Sequence, residues 1–96
     1  MPYIFTPWGQ PDTVTNIAEG ITHYTTSSHG GYKVSKALYA QMPAHLRQCS
    51  FTNDNWFEED CSWCAVVLAF PQYFNKEHQA MAVDTYNMMY KEKAIL

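Results

Sequence analysis

Three groups of residues in this chain are of the types that carry out chemistry. The first is Cys61-Ser62-Trp63-Cys64, a CxxC, with His45-x3-Cys49 upstream. A redox dithiol needs a lowered thiol pKa, usually at a helix N-terminus in positive surroundings. Here Glu58, Glu59 and Asp60 precede the motif directly, and negative charge raises a thiol pKa. A zinc site is the better chemical reading, because His45, Cys49, Cys61 and Cys64 supply four nitrogen and sulfur ligands with zinc-like pair spacings. Two cysteines on an apolar stripe are also what two small buried hydrophobes look like. Free thiols and no cofactor are therefore expected. Three cysteines cannot all pair within one chain, which points to a reducing, cytoplasmic setting.

The second group is the turn around His29-Gly30-Gly31, whose backbone amides could cradle an anion. It lacks the Lys and the spacing of a phosphate-binding loop, so a plain turn is expected, with His29, Gly30 and Gly31 kept as a candidate ligand turn. Nucleophilic catalysis needs a Cys or Ser beside a base. Cys61 with His29, or Ser28 with His29, could be assembled, but no spacing demands either. The alternative reading of a small-ligand or metal-binding protein, hydrolase included, rests on His29, Glu59 and Cys61.

The third group is acidic. Residues 48–75 contain Asp54, Glu58, Glu59 and Asp60 and no Lys or Arg, whereas residues 33–47 carry Lys33, Lys36 and Arg47. Sequence neighbours on a helix point to different faces, so Glu58, Glu59 and Asp60 do not form a paired acid–base site. Carboxylates are favoured at a helix start by its dipole, and a solvated helix start is one reading. A docking surface for a basic partner is the other, with Trp8 and Trp56 as aromatic anchors. His23, His45 and His78 show no constellation beyond the zinc option and read as ordinary surface or strand residues.

Short elements must position these groups. Thr13–Ala18 and Ile21–Thr26 are rich in β-branched residues and Tyr, and Glu19-Gly20 between them makes a hairpin connection. Ser27–Gly31 reads as a second turn and Tyr32–Val34 as a third strand. Ser35 is a good N-cap for a helix over Lys36–Gln41, which stops near Pro43, and Ala44–Gln48 adds one more turn. Asn55 followed by Glu58 matches a capping box, which predicts a helix from Asn55 to about Phe70, stopped by Pro71. Its stripe runs through Trp56, Phe57, Cys61, Cys64, Ala65 and Leu68, widened by Val66, Val67 and Phe70, so it is buried on most sides toward its end. A last helix spans about Asn75–Tyr90, with Ala80, Met81, Tyr86 and Met89 inward. The expected fold is α+β, an N-terminal antiparallel meander of about three strands packed on two or three C-terminal helices, in one domain over residues 1–96.

Composition narrows the function classes. The 96 residues are 47% apolar and 16% charged, a folded composition with three Trp, seven Tyr and five Phe to fill a core. The net charge of −3 and only six Lys and Arg argue against binding driven by phosphate neutralisation, so no direct nucleic-acid partner is expected. The longest apolar run, Ala65–Phe70, is far short of the roughly 20 residues of a membrane span. The start MPYIFTPWG has no basic residue and no apolar core, so no secretory leader is expected.

TPWG at Thr6–Gly9, EGI at Glu19–Ile21, the T-x-x-H-G-G of Thr26–Gly31, the Met42-Pro43 pair, the WFEEDCxW of Trp56–Trp63 and the Phe70-Pro71 pair occur together and in this order. In this combination the chain resembles a family of small proteins of phages, plasmids and other mobile elements, the DUF7007-like group. The resemblance spans about residues 6–74. The pattern does not require Cys64, which weakens the CxxC and zinc readings, and it brings no catalytic residues. It implies a mobile-element setting, in which a small protein without an enzymatic motif is expected to inhibit a host defence complex, as anti-CRISPR proteins do. The expected function is thus a non-enzymatic inhibitor that docks on a host protein or ribonucleoprotein with a basic surface through Asp54, Glu58, Glu59, Asp60, Trp8 and Trp56. Assembly as a homodimer is the remaining alternative.

Overall fold

A computed structural model describes residues 6–50 and 55–91. Four strands, β1 (Thr13–Ala18), β2 (Ile21–Thr25), β3 (Gly30–Val34) and β4 (Trp56–Glu58), form one antiparallel sheet in the order β1-β2-β3-β4. Helices α1 (Lys36–Gln41) and α2 (Ala44–Arg47) lie between β3 and β4, and α3 (Trp63–Ala69) and α4 (Lys76–Tyr86) follow. A 3-10 turn over Pro71–Tyr73 links α3 to α4, and a π turn over Asn87–Lys91 extends α4. The expected α+β class and N-terminal meander are present, with a fourth strand added.

The register sorts the sheet residues onto two faces. Ile21 opposes Val34, His23 opposes Tyr32, and Tyr32 opposes Phe57, so these side chains share the face turned to the helices. Ile21, Val34 and Phe57 are fully buried there against Ala65 and Val66 of α3. Thr22, Tyr24, Lys33, Trp56 and Glu58 lie on the opposite face. Helix α3 is covered twice. Ala65 and Val66 face the sheet, while Cys64 and Val67 pack on Ala82 of α4. Four consecutive buried residues need such a layered position, since a helix covered on one side exposes the outer face of every turn. Among the described residues no helix is long and apolar enough to cross a membrane.

The segment at Asn55 departs from the sequence reading. Trp56–Glu58 is a strand, and α3 begins only at Trp63. Trp56, Phe57 and Glu58 alternate faces with period two, and so short an apolar run fits either period. The free edge of β3 decides the matter. Asn55 does not cap a helix; its carbonyl accepts from the Val34 amide and its Nδ2 donates to the Val34 carbonyl at 2.6 Å. Gly31 permits the closure, because a Cβ there would run into the Phe57 carbonyl and stand 2.7 Å from Cη2 of Trp8. Gly30 and Gly31 accordingly belong to β3 rather than to the expected turn.

The helix expectations hold at α1, where Ser35 accepts from the Leu38 amide at 3.2 Å, and at α4, where Asn75 accepts from the His78 amide at 2.7 Å. The inward face of α4 was misread. Ala82 is its buried residue and Tyr86 is half-buried, whereas Ala80, Met81 and Met89 are exposed. Its main contact is with α3, and Ala82 occupies that narrow stripe against Cys64 and Val67.

Candidate functional site

The acidic segment is divided by the structure, because β4 ends at Glu58 and the chain turns before α3. The Glu58 carboxylate is turned back into that turn. It accepts the Cys61 amide at 3.0 Å, the Asp60 amide at 3.3 Å and the Cys61 thiol at 3.0 Å. Burial alone would raise the Glu58 pKa, but these donors outweigh it and hold the carboxyl below its ordinary range. Ser62 completes the turn, accepting from the Glu58 amide at 2.6 Å. Glu58 is thus a structural clamp. Asp60 is exposed, and Asp54 lies outside the described residues.

Glu59 takes a third role. Its amide donates to the Gly30 carbonyl at 2.8 Å, which fixes the backbone against the edge of β3. Its Oε1 lies 2.8 Å from where a Cβ on Gly30 would stand, so glycine leaves the room the carboxylate occupies. The side chain borders a cleft of about 470 Å³ whose walls are mostly rings. His23 of β2 and Tyr32 of β3 form the floor, with ring centroids 5.0 Å apart. Trp63 at the start of α3 and His78 in the first turn of α4 form the wall, with centroids 5.3 Å apart. Phe74 supports both sides, edge-on to Tyr32 at 5.8 Å and to His78 at 5.5 Å. Ile17 and the exposed Met81 close the rim.

The electrostatics of this cleft are one-sided. The Glu59 side chain makes no hydrogen bond and no ion pair among the described residues. Burial lowers the His23 pKa; nearby Glu59 opposes the shift and nearby His78 adds to it. His23 is therefore neutral near pH 7, and Glu59 is the carboxylate of the cleft. A half-enclosed ring-walled space with one carboxylate is a chemical fit for an organic cation. Neither Ser nor Cys lines it. Sequence reasoning missed His23 and His78, which are far apart in the chain; the one signal was that His23 adjoins Tyr24 and that His78 follows Phe74 by four residues.

Other expected sites fare differently. The exposed His29 closes a turn in which its amide donates to Thr26 Oγ1 at 3.1 Å and its carbonyl accepts the Thr26 amide at 2.7 Å. Gly30 and Gly31 are ladder residues, paired with Thr25 and Tyr24 on one side, and Gly31 with Glu58 on the other, so the expected amide cradle is not open. The Glu59 cleft includes neither His29 nor Cys61, so that proposed trio does not share it. Trp8 folds back over the outer sheet face, with its ring edge-to-face on Trp56 at 5.6 Å. The Trp56 ring also meets Tyr24 at 5.5 Å and carries Lys33 Nζ at 5.4 Å.

The four zinc candidates do not converge. His45 packs its ring on Tyr86, Cys49 donates to the His45 carbonyl at 3.6 Å, and Cys64 is buried between α3 and α4. Because α3 begins after Cys61, the CxxC is not one helical turn with both thiols on a face. Among the described residues no group of three His, Cys, Asp or Glu is arranged to hold a metal ion. Cys49 and Cys61 instead line a separate cleft of about 350 Å³ with Ser50, Glu58 and Tyr90. Burial pushes Cys49 up to about 11 and Cys64 up to about 12, and burial together with Glu58 raises Cys61. All three are thiols at neutral pH, the opposite of activated nucleophiles.

Compared with known proteins, the chain matches over residues 3–94 the model of a domain of unknown function, DUF7007. No curated protein and no solved structure matches it.

Proposed function

The chain belongs to the DUF7007 family, and from that premise we propose that it is a non-enzymatic binding protein that docks on a basic partner through Glu59 and Asp60. A lysine of the partner enters the ring-walled cleft and meets Glu59. The observation that carries this reading is the Glu59 carboxylate, without hydrogen bond or ion pair among the described residues, at the mouth of a cleft walled by His23, Tyr32, Trp63 and His78. An ammonium group there gains a carboxylate partner and ring faces at once, and each is worth more when water is displaced. Glu58 takes no part, since its carboxylate is committed to its own turn. Trp8 and Trp56 lie on the opposite sheet face and are not anchors for this contact.

The mobile-element setting implied by the sequence resemblance makes a host defence complex, of the kind that anti-CRISPR proteins inhibit, the partner class to test first. Wild-type protein and a Glu59→Lys/Asp60→Lys variant are used as bait in cells that carry such a complex, with interference measured in parallel. A partner retained by wild type, lost by the variant and weakened by salt supports the reading. Equal retention and equal inhibition by both refute it.

A further inference from the structure

The outer face of the sheet carries a second cleft of opposite sign. It measures about 370 Å³ and is lined by Thr22, Tyr24, Lys33, Ser35 and Lys36, with Asn55 and Gly20 at its border. Two ammonium groups and no carboxylate belong to its wall. Neither lysine has an ion pair among the described residues. Lys33 is held in place: its Nζ lies 5.4 Å from the centre of the Trp56 ring, its Cα partners in the ladder being Thr22 and Trp56. The hydroxyls complete the donor set. Ser35 Oγ accepts from the Leu38 amide, which leaves its hydrogen to donate, and the Thr22 hydroxyl has no partner among the described residues. Beside these donors Tyr24 lines the cleft, and its ring centroid lies 5.5 Å from that of Trp56.

We propose that this cleft binds the phosphate of a mononucleotide, with Lys33 and Lys36 as the cationic contacts, Ser35 and Thr22 as hydroxyl donors, and the Tyr24–Trp56 border against the base. Two cations, one of them placed over the Trp56 ring, together with hydroxyl donors suit a dianion rather than a carboxylate or a neutral ligand. The volume exceeds that of a phosphate alone and leaves room for the attached sugar. The sheet separates this site from the Glu59 cleft, so it is independent of the docking surface.

The test is a titration of the full chain with inorganic phosphate and with adenosine 5′-monophosphate, read at the Trp56 indole N–H by NMR. The Lys33 ammonium sits over that ring, so a phosphate paired with it changes the field at the indole. The expected result is a saturable shift, tighter for the nucleotide than for phosphate. Lys33→Gln/Lys36→Gln, both exposed positions whose loss leaves the fold's spectrum in place, weakens it at least about tenfold. Thr22→Val is the second variant and weakens it by a smaller factor. Shifts reproduced by sodium chloride at equal ionic strength, or unchanged in the lysine variant, overturn the site. Tighter binding of a short oligothymidylate than of the mononucleotide overturns the ligand assignment in favour of a nucleic-acid strand.

Discussion

Cys61 gives its thiol hydrogen to Oε1 of Glu58 at 3.0 Å, and Tyr90 lines the same cleft as both. The π turn that extends α4 thus borders the turn that ends β4. One carboxylate of the acidic segment is thereby committed to structure, while the neighbouring Glu59 carboxylate has no hydrogen bond among the described residues.

Replacing Glu58 by Ala removes three acceptor contacts and is expected to cost about 1–3 kcal/mol. The Glu58 pKa is depressed in the folded state, so its contribution is present above the ordinary value of 4.5 and is lost as the pH falls through the lower folded value. Urea unfolding of wild type and Glu58→Gln at neutral and at acid pH checks this. The two should differ at neutral pH and converge in acid.

Gly31→Ala forces a methyl group onto the Phe57 carbonyl and the Trp8 ring. Either β4 or the Thr6–Gly9 turn must move, and the expected cost is about 2–4 kcal/mol. Thermal unfolding followed by Trp fluorescence measures it, and the spectrum of the folded variant should report a displaced Trp8.

His23 titrates below its ordinary value of 6.5. The folded state therefore holds fewer protons on it than the unfolded state, so stability declines as the pH is lowered through 6.5 and toward the folded value. Proton NMR of the imidazole ring gives the value directly. Because the Glu59 carboxylate opposes the shift, Glu59→Gln should lower it further, and His78→Asn should raise it.

Alkylation with iodoacetamide at neutral pH orders the thiols. Cys64, buried with its pKa raised to about 12, and Cys49, buried at about 11, react only on unfolding, whereas the half-exposed Cys61 is modified first. Peptide mass spectrometry after timed quenching reads the order.

The first two strands were legible because Thr13–Ala18 and Ile21–Thr25 combine β-branched residues with the Glu19-Gly20 turn, whose Gly20 takes a φ of +89°. Helix α1 was legible from Ser35 at one end and Pro43 beyond the other. Strand β4 was not. Its three residues carry no period of their own and become a strand through the free edge of β3. That misplacement hid the site. On a continuous helix Glu58 and Glu59 are equivalent surface carboxylates, whereas at the end of a strand successive residues take opposite faces and different roles. His23 and His78 could not be paired from the sequence, since their meeting depends on α4 crossing α3 to reach the sheet margin.

An ammonium group accepted by the cleft beside Glu59 would report itself on the rings that wall it. The most direct measurement is a titration of the protein with a short peptide carrying one central lysine, followed at the Trp63 indole and His78 ring signals, against the same peptide with that lysine acetylated. The expected result is a saturable shift with the charged peptide that is at least about tenfold weaker with the acetylated one and with Glu59→Gln. Equal binding of both peptides, or no response at Trp63 and His78, would contradict it.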